Sequence, residues 1–313
     1  MKLVVMIPAY NEEESIGFVI KEIPRDCCDQ VEILIIDDGS KDRTYERAKE
    51  AGADRIIRFK KNRGLAPAFR AGLETAISMG ADIIVNTDAD GQYDGKEIPA
   101  LIKPILEGKA DVVLGSRTKG TIEEMPLGKR IGNAMATYVT RQLSGRYVSD
   151  AQTGFRAFTR DLALHLNVLS DYTYVQETLM QIAHHDVVMV EVPITFRKRV
   201  SGKSRLIGNI FNYARRSGTT IIRTYRDFQP LKTFIIIGGC FILPGIVAGI
   251  IVLQHYLSTG IVAGKLPMAL LSVLLIVLGF QSILIGIVAD MLKSQRKVQD
   301  EILYRLKKQE YAR

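Results

Sequence analysis

Residues 82–92 read Asp-Ile-Ile-Val-Asn-Thr-Asp-Ala-Asp-Gly-Gln, a short β-branched run that ends in two carboxylates one residue apart. Ile83, Ile84 and Val85 form the near-continuous apolar run of a strand buried on both faces. The same form recurs on either side. Apolar runs at 3–8, 31–36, 55–59, 111–115 and 187–192 are separated by helical stretches. The first helix is expected to start at Asn11, with Glu14 three residues on as its capping partner. Gly52 and Gly80 stand where helix C-termini should fall. Strand–helix alternation of this kind predicts an α/β fold with a mostly parallel sheet and helices on both faces.

In such sheets ligands sit beyond the carboxyl ends of the strands. Those ends read Pro8-Ala9-Tyr10-Asn11-Glu12-Glu13, Asp37-Asp38-Gly39-Ser40, Asp88-Ala89-Asp90-Gly91-Gln92 and Gly115-Ser116-Arg117. Carboxylate oxygens suit Mg²⁺ or Mn²⁺, which favour a few protein oxygens together with substrate phosphates. Asp88 and Asp90, with Gln92 adding an oxygen, are therefore the candidate metal ligands. Asp38 could accept a hydrogen bond from a nucleobase ring N–H, or could equally belong to an Asp-Gly turn. Tyr10 could border the base. Arg117, Arg130, Arg199, Lys203 and Arg205 supply charge that matches phosphate.

The absences narrow the field. No Gly-rich dinucleotide turn follows the first run, and no P-loop occurs. Three cysteines, two of them adjacent at Cys27 and Cys28 and the third at Cys240, make neither a zinc spacing nor a disulfide framework. The opening run is too short for a signal peptide and ends in acid, so the N-terminal domain is expected to remain in the cytoplasm. A net charge of +8 at pH 7 fits nucleic acid, an anionic membrane or phosphorylated small molecules. Position decides among them, because many basic residues flank two long apolar segments.

Residues 233–253 and 266–289 carry no charge. The first measures about 30 Å as a helix, the thickness of a bilayer core. Arg223, Arg226 and Lys232 precede it, and Lys293, Arg296, Lys297, Arg305, Lys307 and Lys308 follow the second. Basic flanks predict two spans with both termini and the N-terminal domain on the cytoplasmic side. Pro244 is expected to kink the first span. Gly245 and Gly249 form a pattern that lets helices pack closely, which leaves a homo-oligomer open. Residues 206–232 are expected to form basic amphipathic helices at the membrane surface, and 290–313 a charged, solvated cytoplasmic tail.

IPAYNEE at 7–13, IIDDGSKDRT at 35–44, NTDADGQ at 86–92, LGSR at 114–117, QTGFRAF at 152–158 and RVSGKSR at 199–205 occur in one order. Together they resemble family 2 glycosyltransferases of the GT-A fold. Within these they are most similar to the dolichyl/polyprenyl-phosphate hexose synthases, the group that includes the dolichol-phosphate mannose synthases. The resemblance covers about residues 1–230. It implies a GT-A domain over 1–205 and transfer of one hexose, with inversion, from GDP-mannose, UDP-glucose or UDP-N-acetylglucosamine to a polyprenyl phosphate, with Mg²⁺ or Mn²⁺ as cofactor.

The resemblance carries over to Pro8, Tyr10, Glu12, Ile36 and Asp38 at the nucleoside. Asp88, Ala89, Asp90 and Gln92 fall at the metal and diphosphate. Arg117 and Arg130 fall at the acceptor phosphate, and Arg199, Lys203 and Arg205 in a loop near the phosphates. Arg205 stands where the family pattern has Lys. Many inverting relatives place a base Asp where this chain reads Gln176-Glu177-Thr178, so Glu177 is expected to be an orienting or a structural residue rather than a base. Two rival readings remain: the same fold with another acceptor, and a non-catalytic membrane scaffold. A polysaccharide synthase would need a tryptophan-containing motif, and this chain has no tryptophan.

Overall fold

The computed structural model describes residues 1–168, 174–184, 187–200 and 229–311. They divide into two compact units, Met1–Ser217 with Asp300–Arg313, and Gly218–Gln299. Of the surface helices predicted over 206–232, residues 206–228 lie outside the described residues, as do Lys203 and Arg205.

The first unit is built on a seven-stranded sheet. Strands β1 (Lys2–Ala9), β2 (Gln30–Asp37), β3 (Arg55–Arg58), β4 (Ile83–Asn86), β5 (Val112–Ile122), β6 (Arg156–Thr159) and β7 (Met189–Phe196) stand in the order β3-β2-β1-β4-β6-β5-β7. β1 pairs in parallel with β2 and β4, β2 with β3, and β5 with β7, while β6 runs antiparallel between β4 and β5. Helices α1 (Ile16–Glu22), α2 (Thr44–Glu50), α3 (Leu65–Ser78), α4 (Ile98–Leu106), α5 (Leu127–Ser144), α6 (Arg160–His165) and α7 (Val175–His184) complete it.

Both faces of the sheet are covered, as the apolar runs require. Along β1, Leu3, Val5 and Ile7 point into a core shared with Ile16, Ile20 and Leu101. The alternate residues Val4 and Met6 enter a second core with Phe69, Leu73 and Leu162. Gly52 and Gly80 take positive φ of 92° and 79° past α2 and α3, where the chain must leave the helix left-handed.

Two expectations are corrected here. Asn11 does not start a helix: α1 begins at Ile16. Asn11 adopts a left-handed φ of 51°, which Asn tolerates. Its side-chain oxygen accepts from the Lys41 amide at 2.8 Å, tying the ends of β1 and β2 together. The residues after Asp300 are also not a solvated tail. The Tyr304 ring stacks on His165 at 3.6 Å, and its hydroxyl donates to Asp161 at 2.9 Å. Lys307 Nζ donates to Asn167 Oδ1 at 2.6 Å, and Arg160 donates to the Tyr311 carbonyl at 2.9 Å. Tyr304, Lys307 and Tyr311 recur at helical spacing, so one face of a charged helix docks on the α/β domain.

The second unit holds α8 (Pro230–Thr259) and most of α9 (Leu266–Glu310), both long and apolar enough to cross a membrane. Pro244 lies inside α8. A Cβ on Gly238 would meet the Gly279 carbonyl at 2.7 Å, and one on Gly245 would meet Ile276 at 2.9 Å. Ser272 of α9 donates to the Gly245 carbonyl at 2.7 Å. Gly245 and Gly249 thus pack α8 against α9 of the same chain, where small residues let the backbones approach.

Candidate active site

Because β1, β2 and β4 run in parallel, their carboxyl ends open on one edge, and the functional side chains gather there. Asp37 and Asp38 close β2 and are both buried. Asp37 accepts from the Ser40 amide at 2.8 Å, and Arg58 Nε lies 3.0 Å from its other oxygen as an ion pair. The Asp38 carboxylate accepts from Asn62 Nδ2 at 2.9 Å, the Arg63 amide at 2.7 Å and the Gly64 amide at 2.9 Å. Asp38 therefore braces the turn that leads into α3. A Cβ on Gly39, whose φ is +72°, would lie 2.5 Å from the Lys61 backbone, so only glycine lets these turns touch. Between them lies a cavity of about 590 Å³ lined by Tyr10, Gly39, Ser40, Lys41, Arg58, Phe59, Lys60, Lys61 and Asn62.

The turn after β4 carries the acids. Asp90 Oδ1 accepts from the Gln92 amide at 3.1 Å. Asp88 accepts no hydrogen bond and forms no ion pair among the described residues. Burial, and after it the charge of Asp90, raises the Asp88 carboxyl to about 7. Gly154 leaves room beside it, since a Cβ there would come within 3.1 Å of Asp88 Oδ1. Two adjoining carboxylates, one of them without a donor, fit a hard divalent cation. Among the described residues no cluster of three His, Cys, Asp or Glu could hold a metal.

β5 delivers Arg117, which is buried at 4% exposure. Its Nε and Nη2 donate to Asp150 at 2.6 and 2.8 Å, and it lies 5.1 Å from the centre of the Phe196 ring. The segment after β7 lies over the acidic turn. Arg199 bonds to Glu12, its Nη1 is 3.8 Å from Asp90, and its Nε is buried with no hydrogen-bond partner among the described residues. Arg197 N donates to the Gln92 carbonyl at 2.8 Å, and the Val200 side chain covers Gly91.

The structure thus brings together Glu12, Asp88, Ala89, Asp90, Gln92, Arg117 and Arg199, while Tyr10 lines the cavity beyond β2. Pro8 is buried at the end of β1. The Ile36 side chain packs under Gly72 of α3 in the core, so its side chain does not line the cavity. Arg130 is exposed on α5, and its neighbour Lys129 is the half-buried cation, 5.6 Å from the centre of the Phe196 ring. Glu177 lies in the first turn of α7. Sequence reasoning missed Asp150, Asn62 and Lys129. Asp150 stands two residues ahead of the Gln152–Phe158 motif, and only the fold shows it reaching Arg117.

The family model for glycosyl transferase family 2 matches residues 4–166. The chain belongs to that family. The model for the family 2 glycosyltransferase C-terminal transmembrane region matches residues 207–293, in keeping with a membrane protein. A UDP-N-acetylglucosamine–dolichyl-phosphate N-acetylglucosaminyltransferase from Methanococcus voltae is 36% identical over 213 residues, covering 60% of this chain and 83% of that one. A dolichol-phosphate mannosyltransferase from Pyrococcus furiosus is 34% identical over 226 residues, covering 69% of this chain and 62% of that one. Among solved structures, glucosyl-3-phosphoglycerate synthase from Mycobacterium tuberculosis, in complex with Mn²⁺, UDP-glucose and phosphoglyceric acid, superposes with a TM-score of 0.53 at 22% identity. That match covers 72% of this chain and 78% of the other, and it speaks for the GT-A type of fold alone. This family 2 glycosyltransferase therefore has relatives that use dolichyl phosphate with different sugars.

Proposed function

We propose that this family 2 glycosyltransferase moves one hexose from a nucleotide-sugar to a dolichyl or polyprenyl phosphate, inverting the anomeric carbon. The observation that carries the acceptor is the two-faced nature of α5. Leu127, Ile131, Met135 and Tyr138 are 71%, 54%, 59% and 61% exposed and recur at helical spacing. The opposite face turns Lys129 toward Arg117 and the acid pair. An apolar outer surface beside a cationic inner one suits a lipid with an anionic head. The basic flanks of the spans support a cytoplasmic catalytic domain.

The nucleoside enters the cavity beside Tyr10, with Asp38 holding its floor through the 62–64 turn. Asp88, Asp90 and Gln92 would hold Mg²⁺ or Mn²⁺, which when bound offsets the charge that grows on the leaving diphosphate. An acceptor phosphate oxygen forms the new bond to the anomeric carbon while the bond to the donor's diphosphate oxygen breaks. The nucleoside diphosphate departs with the electron pair. A phosphate monoester is already an anion at neutral pH. No base is needed, which suits Glu177 as an orienting residue. Catalysis then rests on positioning and fixed positive charge, with Arg117 locked by Asp150.

The test is a donor panel. Full-length protein receives polyprenyl phosphate, Mn²⁺ and labelled GDP-mannose, UDP-glucose or UDP-N-acetylglucosamine. Label from one donor is expected in the organic phase, and chelator should abolish it. Nucleoside diphosphate release without lipid label would overturn the acceptor; inactivity with every donor would favour a scaffold.

A further inference from the structure

We propose that Lys129 is the residue that grips a phosphate group at the transfer centre. The inference rests on the reaction class proposed above and adds a catalytic residue one position away from Arg130, which the family resemblance implies.

Its basis is an accounting of cations around the acid pair. Arg117 is committed, because two of its guanidinium nitrogens are bonded to Asp150. Arg199 is engaged by Glu12 and stands beside Asp90. Arg130 is exposed. Unlike Arg130, Lys129 is half-buried, and unlike Arg117 and Arg199 its ammonium forms neither an ion pair nor a hydrogen bond among the described residues. Its electrostatic neighbours are Arg117, Asp90, Asp88 and Arg199, two of each sign. An ammonium partly withdrawn from water with no anion on it is costly, and such groups persist where a ligand completes them.

Geometry agrees with this. Lys129 and Arg117 both lie against the Phe196 ring, at 5.6 and 5.1 Å from its centre. That ring is buried and held by Tyr93 at 5.5 Å, so both cations lie against one fixed surface. On α5, Lys129 lies opposite the exposed apolar stripe, because residues 131 and 127 are each about half a turn away from it. The helix therefore presents a flexible point charge to the reaction centre and its apolar residues outward. A lysine ammonium suits a phosphate whose position shifts as bonds form and break. The phosphate is either the acceptor's monoester or the donor's diphosphate, and both offer the same oxygens.

The experiment compares full-length Lys129→Met and Lys129→Arg with the wild type. Three quantities are measured: UDP and GDP binding with Mn²⁺, kcat and KM for polyprenyl phosphate, and the melting temperature without ligand. Lys129→Met is expected to lower transfer by about 10²–10³-fold. Lys129→Arg should recover most of the loss, and the melting temperature should hold nearly constant, because Lys129→Met removes no ion pair or hydrogen bond and leaves an apolar side chain against the Phe196 ring. A raised acceptor KM with unchanged nucleotide binding assigns the contact to the acceptor phosphate; weakened nucleotide binding assigns it to the donor. Transfer and binding both within threefold of wild type in Lys129→Met would overturn the proposal. If the wild type makes no lipid product, the acceptor reading falls separately, and UDP and GDP binding still decide the role of Lys129.

Discussion

Arg117 and Asp150 form a buried two-point ion pair, with Nε to Oδ2 at 2.6 Å and Nη2 to Oδ1 at 2.8 Å. The Arg117 amide donates to the same carboxylate at 3.1 Å, so side chain and backbone are fixed together. Asp150 is thus a positioning residue for the cation midway along β5.

Asp150→Asn keeps the shape and removes the charge. Loose placement of a reacting group costs about 10²-fold in rate. The variant is expected to lose that order of kcat while nucleotide binding stays near the wild-type value, as read by calorimetry beside transfer assays. An unchanged kcat would remove Asp150 from the catalytic account.

Asp38 makes a different prediction. Its three accepted hydrogen bonds hold the Asn62-Arg63-Gly64 turn. Asp38→Ala leaves those donors unmet, at about 1–3 kcal/mol for buried groups. Both the melting temperature and nucleotide binding should fall. If Asp38 served only the nucleobase, binding would fall with no change in melting.

The acid pair predicts a pH dependence. Burial and Asp90 raise the Asp88 carboxyl to about 7 from a usual value near 3.8. A raised carboxyl favours the protonated folded state, so this group's contribution to stability declines as pH rises from about 4 toward 7. Metal needs the deprotonated form, so Mn²⁺ affinity should climb with pH up to about 7, with proton release, and level off above it. Asp88→Asn should raise the melting temperature of metal-free protein at pH 8 and abolish the response to Mn²⁺. Scanning fluorimetry with and without Mn²⁺ reads both effects.

Much of the sheet could be read from residues alone. Val and Ile runs mark β1, β2 and β4, and the acids at their ends mark the site because parallel strands bring those ends to one edge. β6 was not legible. It is four residues long, and its Arg156 is fully buried, bonded to the carbonyls of Ala151, Thr153 and Val175 and to Thr178. A charged residue there reads as a functional motif rather than a strand. Lys129 was obscured for a related reason: adjacent residues of a helix point about 100° apart. Which of Lys129 and Arg130 turns inward depends on packing that local pattern does not encode.

The docked C-terminal turns predict a stability effect at a distance from the acids. Tyr304→Ala removes the ring stacked on His165, worth about 0.5–1.5 kcal/mol beyond the area it buries. Removal of residues 300–313 also takes away the Lys307 and Tyr311 contacts and should lower the catalytic domain's melting temperature further. Melting unaffected by either change would mean that the tail only rests on the surface.

The central claim is tested most directly by the mass of the lipid product. Full-length protein, polyprenyl phosphate, Mn²⁺ and the active donor would be incubated and the lipid examined by mass spectrometry. Transfer of a single sugar adds one hexose or N-acetylhexosamine residue to the polyprenyl phosphate and leaves one phosphorus in the product. A product that gains a second phosphorus, or a lipid of unchanged mass while nucleoside diphosphate accumulates, would contradict the account.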